Sequence, residues 1–147
     1  ETMTKEAAMR YLIALLLTTL PLVAQAEYGD VTVSEVTSIY DGDTFRVNIE
    51  GWPAIIGERV PIRLRGADTP EMRAQCEYEK RLARQAKQFT VAALRGAHVI
   101  ELREMERGKY FRVLANVVID GENLASALIN AGLARPYEGG TRESWCR

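Results

Sequence analysis

Histidine and cysteine are scarce, with one His and two Cys among 147 residues. His98, Cys76 and Cys146 are too few to assemble a structural zinc site. Long apolar runs are missing too. The most hydrophobic stretch, Tyr11 to Ala26, is interrupted by Pro21 and Gln25 and falls short of the ~20 apolar residues of a spanning helix. Nor is there an excess of either charge: 19 Lys and Arg face 20 Asp and Glu, a net charge of −1. Such a chain does not attract polyanions as a whole, so a site for one must come from local charge placement. No internal repeat or low-complexity tract occurs.

The apolar stretch has a different reading. Lys5 and Arg10 precede "YLIALLLTTLPLVAQA", which ends in Ala24-Gln25-Ala26. A basic start, a short apolar core and a small-x-small ending make a secretory signal peptide. Residues 1–26 are therefore expected to be a signal cleaved after Ala26, and 27–147 a single exported domain, periplasmic or secreted. A retained membrane anchor is the alternative. In an exported protein the even, sparse cysteine count reads as one disulfide, with two unrelated buried thiols as the other possibility.

Strand-like segments dominate the first half. "VTVSEVTSI" alternates at its start, and "DTFRVNI" puts Asp43, Phe45, Val47 and Ile49 on one face. "EGWPAIIGE" reads as a long hairpin connection. "RVPIRLRG" resumes the sheet, with Ile62 and Leu64 opposite Arg63 and Arg65. From Glu77 to Leu94 the period changes, and Leu82, Ala86, Phe89 and Ala93 mark one face of a helix ended by Gly96. "HVIELRE" and "RVLANVVID" are again strands, the second apolar on both faces. "ENLASALINAG" is a short last helix, with Leu124, Ala127, Leu128 and Ala131 inward and Gly132 just past its end. Three strands, a helix, two strands and a helix predict an OB-fold, a mainly β five-stranded barrel with a helix between strands three and four.

Two acidic turns carry the chemistry. "YDGDTF" holds Asp41 and Asp43; "RLRGADTPEMR" holds Asp68 and Glu71 among Arg63, Arg65 and Arg73. Exposed ion pairs are worth only ~0–1 kcal/mol, so stability alone gives little reason for such a cluster. Carboxylates are ligands for calcium or magnesium, and an ion so held polarises a phosphoryl oxygen and orients a water. Glu71 would take that water's proton, and Arg63 carries the planar fork that suits phosphate. Each turn also has a plainer reading. "DGD" is a common turn sequence. "DTPE" resembles a helix start, with Thr69 as N-cap and Pro70 at the first helical position.

Taken together, "DGDT", "RLRGADTPE" and "KYFRVLA" resemble the staphylococcal nuclease (thermonuclease) family, in the family's order, over roughly Val31 to Tyr137. Each part is weak alone; the three-part signature is specific. The resemblance implies that Asp43 and Asp68 bind calcium and that Thr69 offers the ion its backbone carbonyl. It implies a general base in Glu71, and Arg63 and Arg112 at the scissile phosphate. Lys109 and Tyr110 match positions that contact nucleotide phosphate; apart from the resemblance, Tyr137 is a further candidate for the nucleotide pocket, with a structural role as the alternative. The activity implied is Ca²⁺-dependent hydrolysis of DNA and RNA to 3′-phosphate ends, with the protein expected to be a monomer.

This sequence also departs from the family. Phe111 stands where a glycine is frequent before the second arginine, and the hairpin from Val47 to Val60 is longer. The ending "YEGGTRESWC" does not read as the family's last helix. It resembles short exported or plasmid-borne relatives in which a cysteine after "DTPE" recurs with one at the C-terminus, which implies a Cys76–Cys146 disulfide. His98, without an evident carboxylate or cysteine partner, reads as structural. Trp52 reads as a packing residue, with stacking on a base as the alternative, and Trp145 reads as an anchor for the tail. The competing functional class is a non-catalytic OB module that binds nucleic acid or protein, since a fold alone does not dictate function.

Overall fold

The computed structural model describes residues 28–146. The expected signal segment 1–26 lies outside the described residues. Strands β1 (Val31–Ile39), β2 (Thr44–Ile49), β3 (Val60–Leu64), β5 (Ile100–Arg107) and β6 (Val113–Ile119) pair in the order β3-β2-β1-β5-β6, and β3 pairs with β6 to close the barrel. The closing pair is parallel, Ile62 against Val113 and Leu64 against Ala115. Phe45, Val47, Ile62, Leu64, Leu102, Ala115 and Val117 fill the interior. This is the five-stranded OB barrel expected from the order of elements.

The connections add detail. The β2–β3 hairpin contains a one-turn helix, α1 (Ala54–Gly57), and Trp52 beside it packs against the core. At the β6 end, Asp120 and Gly121 both have positive φ (49° and 88°), the backbone that a tight Asp-Gly hairpin requires. They lead into β7 (Glu122–Asn123) and α3 (Leu124–Asn130). Asn123 caps α3 by accepting from the Ser126 N–H at 3.0 Å. At the other end Gly132 (φ 71°) allows its own N–H to reach Ile129 O and that of Leu133 to reach Leu128 O, a Schellman ending. Helix α3 covers the outer face of β6, where Val118 is buried.

Four sequence expectations need correction. Helix α2 (Glu77–Arg95) buries Glu79, Ala83, Ala86, Thr90 and Leu94, while Leu82, Phe89 and Ala93 are only partly buried. The buried stripe is rotated by about one position because Glu79 and Thr90 turn inward to polar partners, which an apolar count cannot register. In α3 the inward residues are Leu124, Ala125 and Leu128; Ala131 is exposed at the cap. "DTPE" starts no helix: Thr69 and Pro70 run on from strand β4 (Gly66–Asp68), and α2 begins only at Glu77. His98 does have a carboxylate neighbour, Asp120, 3.6 Å from its Nδ1, but its side chain is 92% exposed.

One further pairing is tertiary in origin. β4 pairs antiparallel with β8 (Arg135–Tyr137), Asp68 against Arg135 and Gly66 against Tyr137. That small sheet brings the C-terminal tail to the acidic loop, and the Cys76–Cys146 disulfide, with a Cα–Cα distance of 5.9 Å, anchors it there.

Candidate active site

The site forms where the start of β2 meets the end of β3 and the β4 loop. Register sets this meeting: Thr44 lies opposite Arg63, and the Leu64 N–H donates to Asp43 O at 2.9 Å. Residues 25 apart in the chain (Asp43 and Asp68) thereby come to share one guanidinium. Arg63 Nη1 lies 3.1 Å from Asp43 Oδ2, and its Nη2 lies 3.1 Å from Asp68 Oδ1. Nη1 also donates to the Leu64 and Ala67 carbonyls, each at 3.0 Å. With these partners on both sides, the fork has one orientation.

Asp43 and Asp68 are 3% and 5% exposed, and Thr69 is 1% exposed. Asp43 is further held by the Thr69 N–H at 2.9 Å and the Thr44 hydroxyl at 3.0 Å. Asp41 accepts from the Asp43 N–H at 3.0 Å. Burial, and then the neighbouring Asp43 carboxylate, push Asp41 from 3.8 up to about 7, against the opposing pull of that N–H and of Arg63. Gly42, between the two aspartates, packs against Thr69 and Ala86, and its carbonyl accepts from the Thr90 hydroxyl at 2.7 Å. The inward turn of Thr90 thus fixes the acidic turn from behind.

Glu71 follows on the loop, its side chain 45% exposed. Its backbone N–H donates to Glu79 Oε1 at 3.1 Å. The cleft in front of these residues, about 590 Å³, is also lined by Tyr40, Arg107, Lys109, Arg112, Tyr137 and Arg142. Five cationic side chains therefore gather at one mouth of a chain whose net charge is −1. This is local placement of the kind a polyanion site requires.

The structure thus brings together Asp43, Arg63, Asp68, Thr69 and Glu71, with Lys109, Arg112 and Tyr137 on the walls of the cleft. The Arg63 guanidinium lies 5.9 Å from the Tyr137 ring. Tyr110 is set apart. It is 83% exposed, lines a neighbouring recess with Tyr40 and Arg112, and has a positive φ of 59°, as Phe111 does at 60°. Arg112 stands 5.8 Å from the Tyr110 ring. Of the three arginines around the second acidic turn, only Arg63 binds the buried aspartates; Arg65 pairs with Glu106 at 3.0 Å on the outside of the barrel.

Two residues were not singled out from the sequence. Glu79 is 5% exposed and supports the Glu71 loop; its place three residues after Cys76 offered no signal. Arg142 reaches Asp68, Glu71 and the Thr69 carbonyl. Its closeness to Cys146 was the available clue, because a bridge to Cys76 brings the tail to this loop.

Residues 61–144 match the family described as staphylococcal nuclease homologue, and the chain belongs to that family. The matched span opens inside β3, so Asp43 precedes it; the β2–β3 pairing joins Asp43 to the matched part.

The donor set can be tested against a divalent ion. Asp43, Asp68 and the Thr69 carbonyl are oxygen donors in one buried corner, and the Thr69 hydroxyl is buried with no hydrogen-bond partner among the described residues. Oxygen donors of this kind suit calcium or magnesium, so the residues fit such an ion. The Cys76–Glu79–Cys146 group does not compete, because its two sulfurs are joined in the disulfide.

Proposed function

We propose that this protein is a Ca²⁺-dependent nuclease that hydrolyses phosphodiester bonds of DNA, RNA or both by water attack and leaves 3′-phosphate ends. The observation that carries the reading is the convergence of buried Asp43 and Asp68 on Arg63, with Glu71 beside them at a cationic cleft. In this reading Asp43, Asp68 and the Thr69 carbonyl hold the ion. When bound, it supplies Lewis-acid polarisation of the phosphoryl oxygen and offsets charge developing there.

The remaining work falls to the chain's own side chains. Glu71, on a loop held through its backbone by Glu79, accepts the proton of the attacking water; positioned general bases contribute ~10²–10⁴-fold. Arg63, its orientation set by two carboxylates and two carbonyls, presents positive charge at the reacting phosphate. Arg112, which lines the same cleft, adds a second positive charge. Groups already oriented before reaction stabilise developing charge without reorganisation. Lys109, Tyr110 and Tyr137 bind the flanking nucleotides, the tyrosines offering faces on which bases stack.

The test is cleavage of single- and double-stranded DNA and RNA by purified residues 27–147, with calcium and with chelator. Calcium-dependent fragments ending in 3′-phosphate are expected. Equal turnover in chelator, or binding without cleavage, would replace the enzyme with a non-catalytic module.

We further propose that the protein is exported after cleavage behind Ala26 and acts as a monomer in the periplasm or medium. The signal-like segment supports this, and so does the disulfide, a bond that persists in oxidising compartments. Mass spectrometry of the exported protein should find Glu27 as its first residue; a membrane-bound form retaining Leu15 to Leu22 would contradict it.

A further inference from the structure

The tail after β8 ends against the acidic loop. Arg142 Nη2 lies 2.6 Å from Asp68 Oδ1 and donates to the Thr69 carbonyl at 3.3 Å, while Nη1 pairs with Glu71 Oε1. One guanidinium therefore binds two of the three groups assigned above to the ion, Asp68 and the Thr69 carbonyl, and the base as well. The position is held at both ends. Tyr137 Oη donates to Gly140 O at 2.8 Å, and Arg135 Nη1 donates to Ser144 O at 3.2 Å. The Arg135 guanidinium stacks 4.0 Å from the Trp145 ring, and Cys146 is bonded to Cys76.

We propose that Arg142 is a tethered internal counter-cation that competes with the divalent ion for Asp68 and Thr69, so that the pinned tail sets the ion concentration at which the site fills. The inference rests on the ion-site reading of Asp68 and Thr69 and adds a residue that determines ion affinity. Divalent ions sit ~2.0–2.6 Å from carboxylate oxygens, the shell in which the Arg142 nitrogen stands at 2.6 Å. Asp68 Oδ1 also takes Arg63 Nη2 at 3.1 Å, so a divalent ion in the inner shell replaces the nearer guanidinium, and filling the site expels Arg142. A competitor on the same chain acts at high effective concentration, which falls when its tether is released. The disulfide thereby becomes a second determinant of ion affinity.

Calcium chloride titrated calorimetrically into the oxidised protein tests this with no substrate present. Arg142→Gln is expected to bind calcium about tenfold more tightly than the parent, as loss of two partly exposed ion pairs suggests. Arg142→Lys, which keeps the charge, should return most of the way to the parent affinity. Reducing the disulfide, well below the melting transition, should also tighten binding. Equal or weaker binding by Arg142→Gln overturns the inference while leaving the ion site intact. Tightening in Arg142→Gln without tightening on reduction overturns the part assigned to the tether. If neither parent nor variant binds calcium, the ion-site reading itself fails and the competition with it.

Discussion

The Glu71 backbone N–H donates to Glu79 Oε1 at 3.1 Å, so a carboxylate of helix α2 holds the loop that carries the proposed base. Glu79 also stands within 3.5 Å of the Cys146 sulfur, where the tail is anchored. Helix α2, the loop and the tail therefore meet at one residue that is 5% exposed.

Glu79→Ala leaves the Glu71 N–H without its acceptor. A stability loss of ~1–3 kcal/mol is expected, with turnover reduced well below the melting transition because the loop is no longer held. Glu79→Gln keeps an acceptor oxygen and should retain most of both. Urea melts and initial rates measure the pair, and wild-type turnover in the alanine variant would disprove the supporting role.

Glu71→Gln should lower turnover ~10²–10⁴-fold with little change in stability, since the side chain is 45% exposed. The two arginines should separate in a different way. Both Arg63→Ala and Arg112→Ala should cost ~10²-fold or more in rate. Only Arg63→Ala should also cost ~3 kcal/mol in stability, because it removes the guanidinium that bridges buried Asp43 and Asp68 and leaves Arg142 on Asp68 alone. Equal melting temperatures for the two variants would contradict the bridging geometry.

Gly42 tolerates no side chain for a reason of space. An added Cβ would meet Thr69 Cγ2 at 2.8 Å and Ala86 Cβ at 3.0 Å. Gly42→Ala is expected to cost ~1–3 kcal/mol through overpacking and to weaken calcium binding by displacing Thr69. A variant with parent stability and parent affinity would show that this packing does not position the site.

Cleaving the Cys76–Cys146 bridge frees a tail closed over 70 residues. The chain-entropy relation puts the stabilisation from a loop of this length at ~4 kcal/mol before strain or residual denatured-state structure reduces it, against a usual net stability of ~5–15 kcal/mol. Reduction should lower the melting temperature by several degrees, followed by circular dichroism. Two free thiols in the oxidised, exported protein would remove the bridge altogether.

Much of the fold could be read along the chain because barrel strands announce themselves by alternation. In β2, Phe45, Val47 and Ile49 alternate with exposed or half-buried residues, and the same rule separated Ile62 and Leu64 from Arg63. The helix faces were read less well. Thr90 and Glu79 are buried polar residues, and their inward direction follows from partners outside the helix, Gly42 and Glu71. The carboxylate neighbour of His98 was missed because Asp120 comes to it only through the β6–β7 turn, while the structural reading of His98 stands uncontradicted.

The sequence by itself determined the chemistry on offer: hard carboxylates in two short turns, arginines near them, and two cysteines able to close one bridge. Side-chain type and local spacing are properties of the chain alone. Tertiary structure decided which of these groups meet. Barrel register put Arg63 between Asp43 and Asp68, and the β4–β8 pairing carried the tail to the acidic loop. Arg142 shows the difference most clearly. Read along the chain it is one charge in a polar ending, and only strand pairing and a disulfide bring it to Asp68 and Glu71, some 70 residues earlier in the chain.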